Sequence, residues 1–573
     1  MANQSLQRAC SDPAVDAAVA RHGAEPDAII SIFRSIQAEK GYLSGEVIAA
    51  TAAALKIPAS RAFGVASFYS MLSTRPRPGR IVRLCDGPVC QLHGREKVRE
   101  ALEAVARENG WGVERTSCLG LCDRAPAALV EGDACGPLTA EGSLAVLGGW
   151  RGEGPSYAEP VCGEVRVTLA RLGALRSDPE SLSLAEKAGA YQALDKALKG
   201  PPSDVLAALE ASGLQGRGGA GFPVGRKWRF VAQAQAEKKY VVCNFDESEP
   251  GTFKDRVIVD GDPHLLLEGM ALAGYAVGAA EGFIYIRGEY AWLADRLQRA
   301  ILQAENGGWL GRRIRGRDFD FRIHVHSGAG AYVCGEETAL LESLEGRRGE
   351  PRLRPPYPTT HGYRGRPTVV NNVESFCSVP SIVLRGADWY RSLGPAQSPG
   401  VKLFTVLGHV RQPRVFEAPY GITLRQIIER FGGGMLPGSR FQMALTGGAA
   451  GTVVSAAHLD EPLDFTSARR GIALGSGAML VLDESVSAVT LLQWILHFFE
   501  TESCGRCTPC REGTQEARRL VESVATGDRR GGVADDLLHL ARWMRVASFC
   551  GLGQSVANPI ESALGAFRSE FGA

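Results

Sequence analysis

The sequence predicts a multidomain α/β protein, and three observations lead there. The chain has 573 residues, more than a single hydrophobic core usually serves. Strand-like and helix-like periods alternate through its middle, give way to short strands and glycine turns after Val401, and become purely helical from Ala488. Fourteen cysteines are present, and eight of them fall into two groups near opposite ends.

Taken in order, residues 1–78 read as a helical segment. Apolar residues recur at helical spacing from Asp27 to Gln37, and Ser44 stands where a helix cap belongs. Pro76-Arg-Pro-Gly79 ends that run. Residues 79–150 form a small α/β unit, with strands over 81–84 and 128–130 and a helix over 94–109. The stretch 148–160 is rich in Gly and Pro, and 151–200 is expected to be a linker. A larger α/β domain follows over 201–400, with strands at 240–244, 282–286 and 321–325. Residues 401–487 make a small mixed domain with strands at 402–408 and 478–482, and 488–573 a helical one.

Composition excludes several classes. Hydrophobic residues are 45% and charged residues 22%, and Lys+Arg is 64 against Asp+Glu 63. That balance offers nothing to nucleic acid or to an anionic membrane. The first ten residues lack a basic stretch followed by an apolar run, and no 18-residue apolar stretch occurs. The expectation is a cytoplasmic protein without direct membrane insertion. Thiols stay reduced there, so grouped cysteines point to metals or redox chemistry. The scattered six, Cys10, Cys135, Cys162, Cys243, Cys334 and Cys377, are expected to be buried, inert thiols.

Cys504-Gly-Arg-Cys507-Thr-Pro-Cys510, with Cys550 far downstream, places three thiolates on one loop before a helix and a fourth at a distance. That is how a [4Fe–4S] cube is commonly held. Structural zinc normally takes two pairs, and a disulfide exchanger leaves the third and fourth cysteines unexplained. Cys85-Asp-Gly-Pro-Val-Cys90 and Cys118-Leu-Gly-Leu-Cys122 form the second set, whose four thiolates suit either [2Fe–2S] or zinc.

Gly216-Arg-Gly218-Gly219-Ala-Gly221 satisfies a dinucleotide fingerprint, yet it follows a helical stretch from Ser203 rather than a strand. It is therefore no ordinary Rossmann turn, though its amides can cradle a phosphate; a tight interhelical turn is the alternative. Asn244-Phe-Asp246-Glu247-Ser-Glu249 then leaves an apolar strand, which is where α/β sheets place ligands. Ser327-Gly-Ala-Gly-Ala-Tyr332-Val-Cys-Gly335-Glu336-Glu337 repeats the strand, glycine loop and acidic pair. Asn371-Asn372 adds amides suited to a flavin edge or a phosphate.

These segments together resemble the NADH-oxidising flavoprotein subunit of respiratory complex I and its diaphorase relatives in NAD-reducing hydrogenases and NAD-dependent formate dehydrogenases. The likeness runs from about residue 201 to the end. Residues from Asp27 to about 149 look like the thioredoxin-like [2Fe–2S] subunit, here fused in front, which favours [2Fe–2S] over zinc. The resemblance implies a Rossmann-like FMN/NAD domain, a small β-grasp-like domain and a helical [4Fe–4S] domain. It implies FMN held by Gly218, Gly219, Lys227, Asn244, Asp246, Tyr332, Gly335, Glu336, Asn371 and Asn372. It implies NAD(H) between Phe222, Phe230 and Tyr357, with Glu249, Glu337 and Arg354 on the nucleotide; Gly216 and Glu247 complete the expected cofactor residues. Arg354 and Tyr357 stand where the family often carries Lys and Phe.

In such a protein NAD(H) exchanges a hydride with FMN, and the clusters exchange single electrons, so no nucleophile or general base is required. A cluster-bearing docking scaffold and a stand-alone ferredoxin–NAD reductase are the competing readings. The fused architecture resembles formate dehydrogenase flavoprotein subunits. The implied partner is a catalytic iron–sulfur subunit of a molybdenum- or tungsten-dependent formate dehydrogenase, with a further small iron–sulfur subunit; a hydrogenase or complex I-like assembly is the alternative.

Overall fold

The computed structural model describes residues 12–152, 159–527 and 532–572. Helices Pro13–His22, Ile29–Lys40, Gly45–Ala54 and Ala59–Ala66 bury their apolar stripes against one another, including Ile29, Ile32, Phe33 and Ile36. Ser44 does cap a helix, its hydroxyl accepting from the Val47 amide at 3.2 Å. The chain then enters β1 (Arg80–Cys85), helix Arg95–Glu108, β2 (Trp111–Thr116), β3 (Ala128–Val130) and β4 (Asp133–Cys135). The sheet order is β2-β1-β3-β4, with β1 and β2 parallel and the other pairs antiparallel.

The expectation of a linker over 151–200 needs correction. Residues 153–158 lie outside the described residues, but beyond them come three short helices, Leu172–Leu175, Leu182–Lys187 and Gln192–Ala197. Their partners are far away in sequence. Arg171 pairs with Asp262 at 2.7 Å, the Tyr191 hydroxyl meets His264 Nδ1 at 2.9 Å, and the Glu268 carboxylate accepts the amides of Ala193 and Leu194. The segment is an integral layer of the next domain.

That domain is built on β5 (Tyr240–Phe245), β6 (Glu281–Ile286), β7 (Arg322–Ser327) and β8 (Thr368–Asn372), all parallel, in the order β7-β6-β5-β8. The chain builds outward from β5 to β7 and then returns to the other side of β5. The β5/β8 junction is thus a topological switch point, and its carboxyl end opens a crevice. Helix Pro202–Ser212 precedes the glycine loop, so the absence of a strand there is real. It starts one residue before Ser203, with Pro201 at the cap and no side-chain capping bond.

A five-stranded mixed sheet follows: β9 (Val401–Gly408), β10 (Arg414–Pro419), β11 (Phe441–Thr446), β12 (Thr452–Val454) and β13 (Ala478–Asp483), ordered β10-β9-β13-β11-β12. Helices Ala488–Glu502, Thr508–Ala525, Val533–Ala547, Gly551–Ser555 and Ala557–Phe567 complete the chain. Among the described residues no helix is long and apolar enough to cross a membrane.

Candidate functional site: a double cavity between two cysteine clusters

The crevice at the switch point is divided into two adjoining cavities of about 720 and 550 Å³. Strand pairing creates their shared wall, because Asn244 at the end of β5 is in register with Asn372 at the end of β8. Gly218, Asn244, Gly335, Glu336 and Asn372 border both cavities. Gly216, Phe222, Lys227, Phe230, Glu337, Arg354, Tyr357 and Asn371 line the larger one, and Gly219, Asp246, Glu247, Glu249 and Tyr332 the smaller. Every cofactor residue expected from the sequence therefore faces one space or the other.

The larger cavity is apolar at its rim and charged at its wall. Phe222, Phe230 and Tyr357 are 42, 41 and 55% exposed, so they are not core aromatics. Lys227 Nζ donates to Glu337 Oε2 at 3.0 Å and to the Val370 carbonyl at 2.9 Å. Arg354 lies 3.5 Å from Glu337 and 3.6 Å from Glu336. Glu336 also caps helix Glu337–Leu344, accepting the amides of Thr338 and Ala339 at 3.0 and 2.9 Å. Asn371 is oriented from behind by the fully buried Trp228, whose Nε1 donates to Oδ1 at 2.9 Å.

The smaller cavity is a carboxylate-rich pocket. Burial pushes Asp246 and Glu247 up to about 8 and Glu249 up to about 7. Glu247 accepts the Asp255 and Arg256 amides at 2.8 and 2.9 Å, fixing the start of helix Lys254–Gly261. Glu249 accepts from the Tyr332 hydroxyl at 2.5 Å and the Ala450 amide at 3.0 Å, joining the mixed sheet to the crevice. Asp246 Oδ2 is buried without a partner among the described residues, which fits an acceptor for a ligand hydroxyl. At Gly218 an added Cβ would stand 3.3 Å from Asn372 Cβ, so glycine there clears the wall for a close ligand.

Sequence reasoning missed the residues that hold this cradle. Arg217 is buried inside the glycine loop; its guanidinium donates to the Tyr390 hydroxyl at 2.6 Å and lies 4.8 Å over the Tyr420 ring. Lys254, Asp255, Glu374 and Lys402 form a buried network beneath the half-buried Asn372, with Lys254 3.0 Å from Glu374 and Asn372 Nδ2 donating to Asp255 at 2.6 Å. Density of carboxylates around Lys254 was the only signal of it in the sequence.

Cys85, Cys90, Cys118 and Cys122 converge in one buried cluster. The Cys118 and Cys122 sulfurs are 3.5 Å apart, and the Gly120 amide donates to Cys118 Sγ at 3.4 Å. Hydrogen bonds from Cys122 and Cys85 hold the Cys118 thiol well below its usual value. At the other end Cys504, Cys507, Cys510 and Cys550 line one small pocket. The Phe549 amide donates to Cys507 Sγ at 3.5 Å, and Ser503 Oγ is 3.3 Å from Cys510 Sγ. Burial pushes Cys510 up to about 12, a cost that a bound cation removes. Amide donors and desolvated thiols suit sulfur-bridged iron at both places. Leu552, two residues past Cys550, borders both this pocket and the smaller cavity.

Of the scattered cysteines, Cys135, Cys243, Cys334 and Cys377 are buried. Cys162 is exposed, against expectation, because its loop lies on the surface; Cys10 lies outside the described residues.

Residues 209–381 match the family model described as the Nuo51 FMN-binding domain, and 15–151 match the thioredoxin-like [2Fe-2S] ferredoxin. Residues 490–573 match the NADH-ubiquinone oxidoreductase-F iron-sulfur binding region, and 403–454 the SLBB domain. The NADH-quinone oxidoreductase F 2 subunit of Rhizobium meliloti (strain 1021) is 46% identical over 396 residues, covering 69% of this chain and 94% of that one. The NADP-reducing hydrogenase subunit HndC of Solidesulfovibrio fructosivorans is 42% identical, covering 71% and 83%. A chain of an NAD+-reducing [NiFe]-hydrogenase, solved in the H2-reduced state, superposes with a TM-score of 0.83 at 33% identity, over 96% of this chain and 92% of its own.

Proposed function

The chain belongs to the family of NADH-quinone oxidoreductase F subunits, which are FMN-, NAD(H)- and iron–sulfur-dependent diaphorases, and from that premise we propose how its own residues divide the work. The observation that carries the division is the double cavity. NAD(H) occupies the larger space, its rings packed among Phe222, Phe230 and Tyr357, with Arg354 and Glu337 on its polar parts. FMN would be held along the shared wall by Gly218, Gly219, Asn244, Asp246, Asn371 and Asn372. FMN supplies the exchange between hydride transfer with NAD(H) and single-electron transfer with the clusters. Glu249, which lines the smaller cavity, contacts the end of the nucleotide that reaches past the shared wall, and Tyr332 holds its carboxyl in place. Cys85, Cys90, Cys118 and Cys122 hold [2Fe–2S]; Cys504, Cys507, Cys510 and Cys550 hold [4Fe–4S]. Substituting Glu249→Ala should raise KM for NADH by roughly tenfold or more, the worth of one hydrogen bond to a charged group, while FMN stays bound. Unchanged NADH kinetics would move the nucleotide elsewhere.

The electron source lies on another polypeptide, and formate is the substrate this reading puts first. The fused [2Fe–2S] module and the Ser548-Phe-Cys550-Gly-Leu-Gly-Gln segment resemble formate dehydrogenase flavoprotein subunits. A partner bearing molybdenum or tungsten would oxidise formate and deliver electrons to the Cys504–Cys550 cluster. Hydrogen is the second reading, favoured by the end-to-end superposition on a hydrogenase chain. The purified native complex should reduce NAD⁺ with formate and contain molybdenum or tungsten, whereas the isolated chain should not use formate. Nickel in the complex, with hydrogen driving NAD⁺ reduction, would decide for the second.

A further inference from the structure

Between the smaller cavity and the Cys85–Cys122 cluster lies a buried ionic junction that neither site uses. Arg287, just past β6, is 2% exposed. Its guanidinium donates to the Glu247 carbonyl at 2.6 Å, in the cavity wall, and also to the carbonyl of Cys118. Glu289, itself buried, closes the remaining edge, with its carboxylate 3.0 Å from the same guanidinium. The Tyr290 hydroxyl packs on Gly120, where a Cβ would overlap it, and reaches toward Glu247 Oε2 at 3.4 Å. A single desolvated cation thus spans from the cavity loop to the backbone of a cysteine in the sulfur cluster.

We propose that Arg287 sets the reduction potential of the [2Fe–2S] cluster, holding it high enough to take an electron beside the flavin cavity. The inference rests on the assignment of Cys85, Cys90, Cys118 and Cys122 as the ligands. Reduction adds one electron, and so one negative charge, to the cluster and changes nothing else. A fixed positive charge in a dry setting, hydrogen-bonded to a ligand residue, stabilises the more negative state. Glu289 opposes it, so the two members of the ion pair pull the potential in opposite directions. A purely structural role for the pair has no such reversal of sign. Arg34 is a second buried cation that interacts electrostatically with Glu289.

The test is a redox titration of the full-length, cluster-loaded chain, followed by electron paramagnetic resonance at both clusters. Arg287→Met should lower the [2Fe–2S] midpoint by at least a tenfold change in the reduction equilibrium, about 59 mV for one electron. Arg287→Lys should recover part of that shift, and Glu289→Gln should move the midpoint the opposite way. The [4Fe–4S] midpoint should not move in any of them. An Arg287→Met protein with an intact [2Fe–2S] signal and an unchanged midpoint would overturn the proposal. Were Arg287→Met to lose the cluster, Glu289→Gln decides alone: no shift, or a shift downward, refutes it. Absence of a [2Fe–2S] signal from the unaltered chain would instead refute the ligand assignment.

Discussion

Glu337 concentrates the question of nucleotide choice in one side chain. Its carboxylate lies between Lys227 at 3.0 Å and Arg354 at 3.5 Å, on the wall of the larger cavity. With the adenosine ribose beside it, as proposed, this carboxylate would accept from the 2′-hydroxyl and repel a 2′-phosphate. Removing the charge while leaving both cations would favour the phosphate-bearing nucleotide. Glu337→Gln should therefore shift the ratio of kcat/KM values toward NADPH by roughly tenfold, the effect of about 1.4 kcal/mol. An unchanged ratio would take Glu337 away from the ribose. The acidic pair was visible in the sequence because it follows a glycine loop. The cations around it were visible only as separate motifs, since Lys227 and Glu337 are 110 positions apart.

At the scale of elements, the loop from Asp246 to Phe253 and helix Lys254–Gly261 act together. Glu247 uses both carboxylate oxygens on the first amides of that helix, and the helix carries the Lys254 and Asp255 side chains that position Asn372. Glu247→Ala should remove a cap worth about 1 kcal/mol or more and leave two amides unpaired. Amide hydrogen exchange should speed up over 254–258, and FMN should bind more weakly, with the clusters still loaded. Unaltered protection there would show that the cap is dispensable. Such helix and strand periods were legible from local pattern, as β5, β6 and β9 illustrate. The short helices from Leu172 to Ala197 were not, because Asp262, His264 and Glu268 hold them in place across the fold.

Across the whole molecule, the chemistry was more legible than its support. Cysteine spacing alone separated two sets of ligands, and the structure gathers each set into one place. Arg217 shows the other side. It reads in sequence as the filler of a glycine motif, but it anchors that loop to Tyr390 and Tyr420, more than 170 residues away. Arg287 likewise gives no sign in the sequence of the cysteine loop it meets. Both cysteine clusters adjoin the smaller cavity, one through Leu552 and the other through Arg287, so one chain brings together the parts needed to turn a hydride into single electrons. The most direct measurement is an anaerobic NADH titration of the purified, cofactor-loaded chain, read by flavin absorbance and electron paramagnetic resonance together. The flavin band should bleach and a [4Fe–4S] signal should appear, and in Cys507→Ser the flavin should still bleach without that signal. A bound flavin that NADH does not bleach, with the clusters left oxidised, would contradict the account.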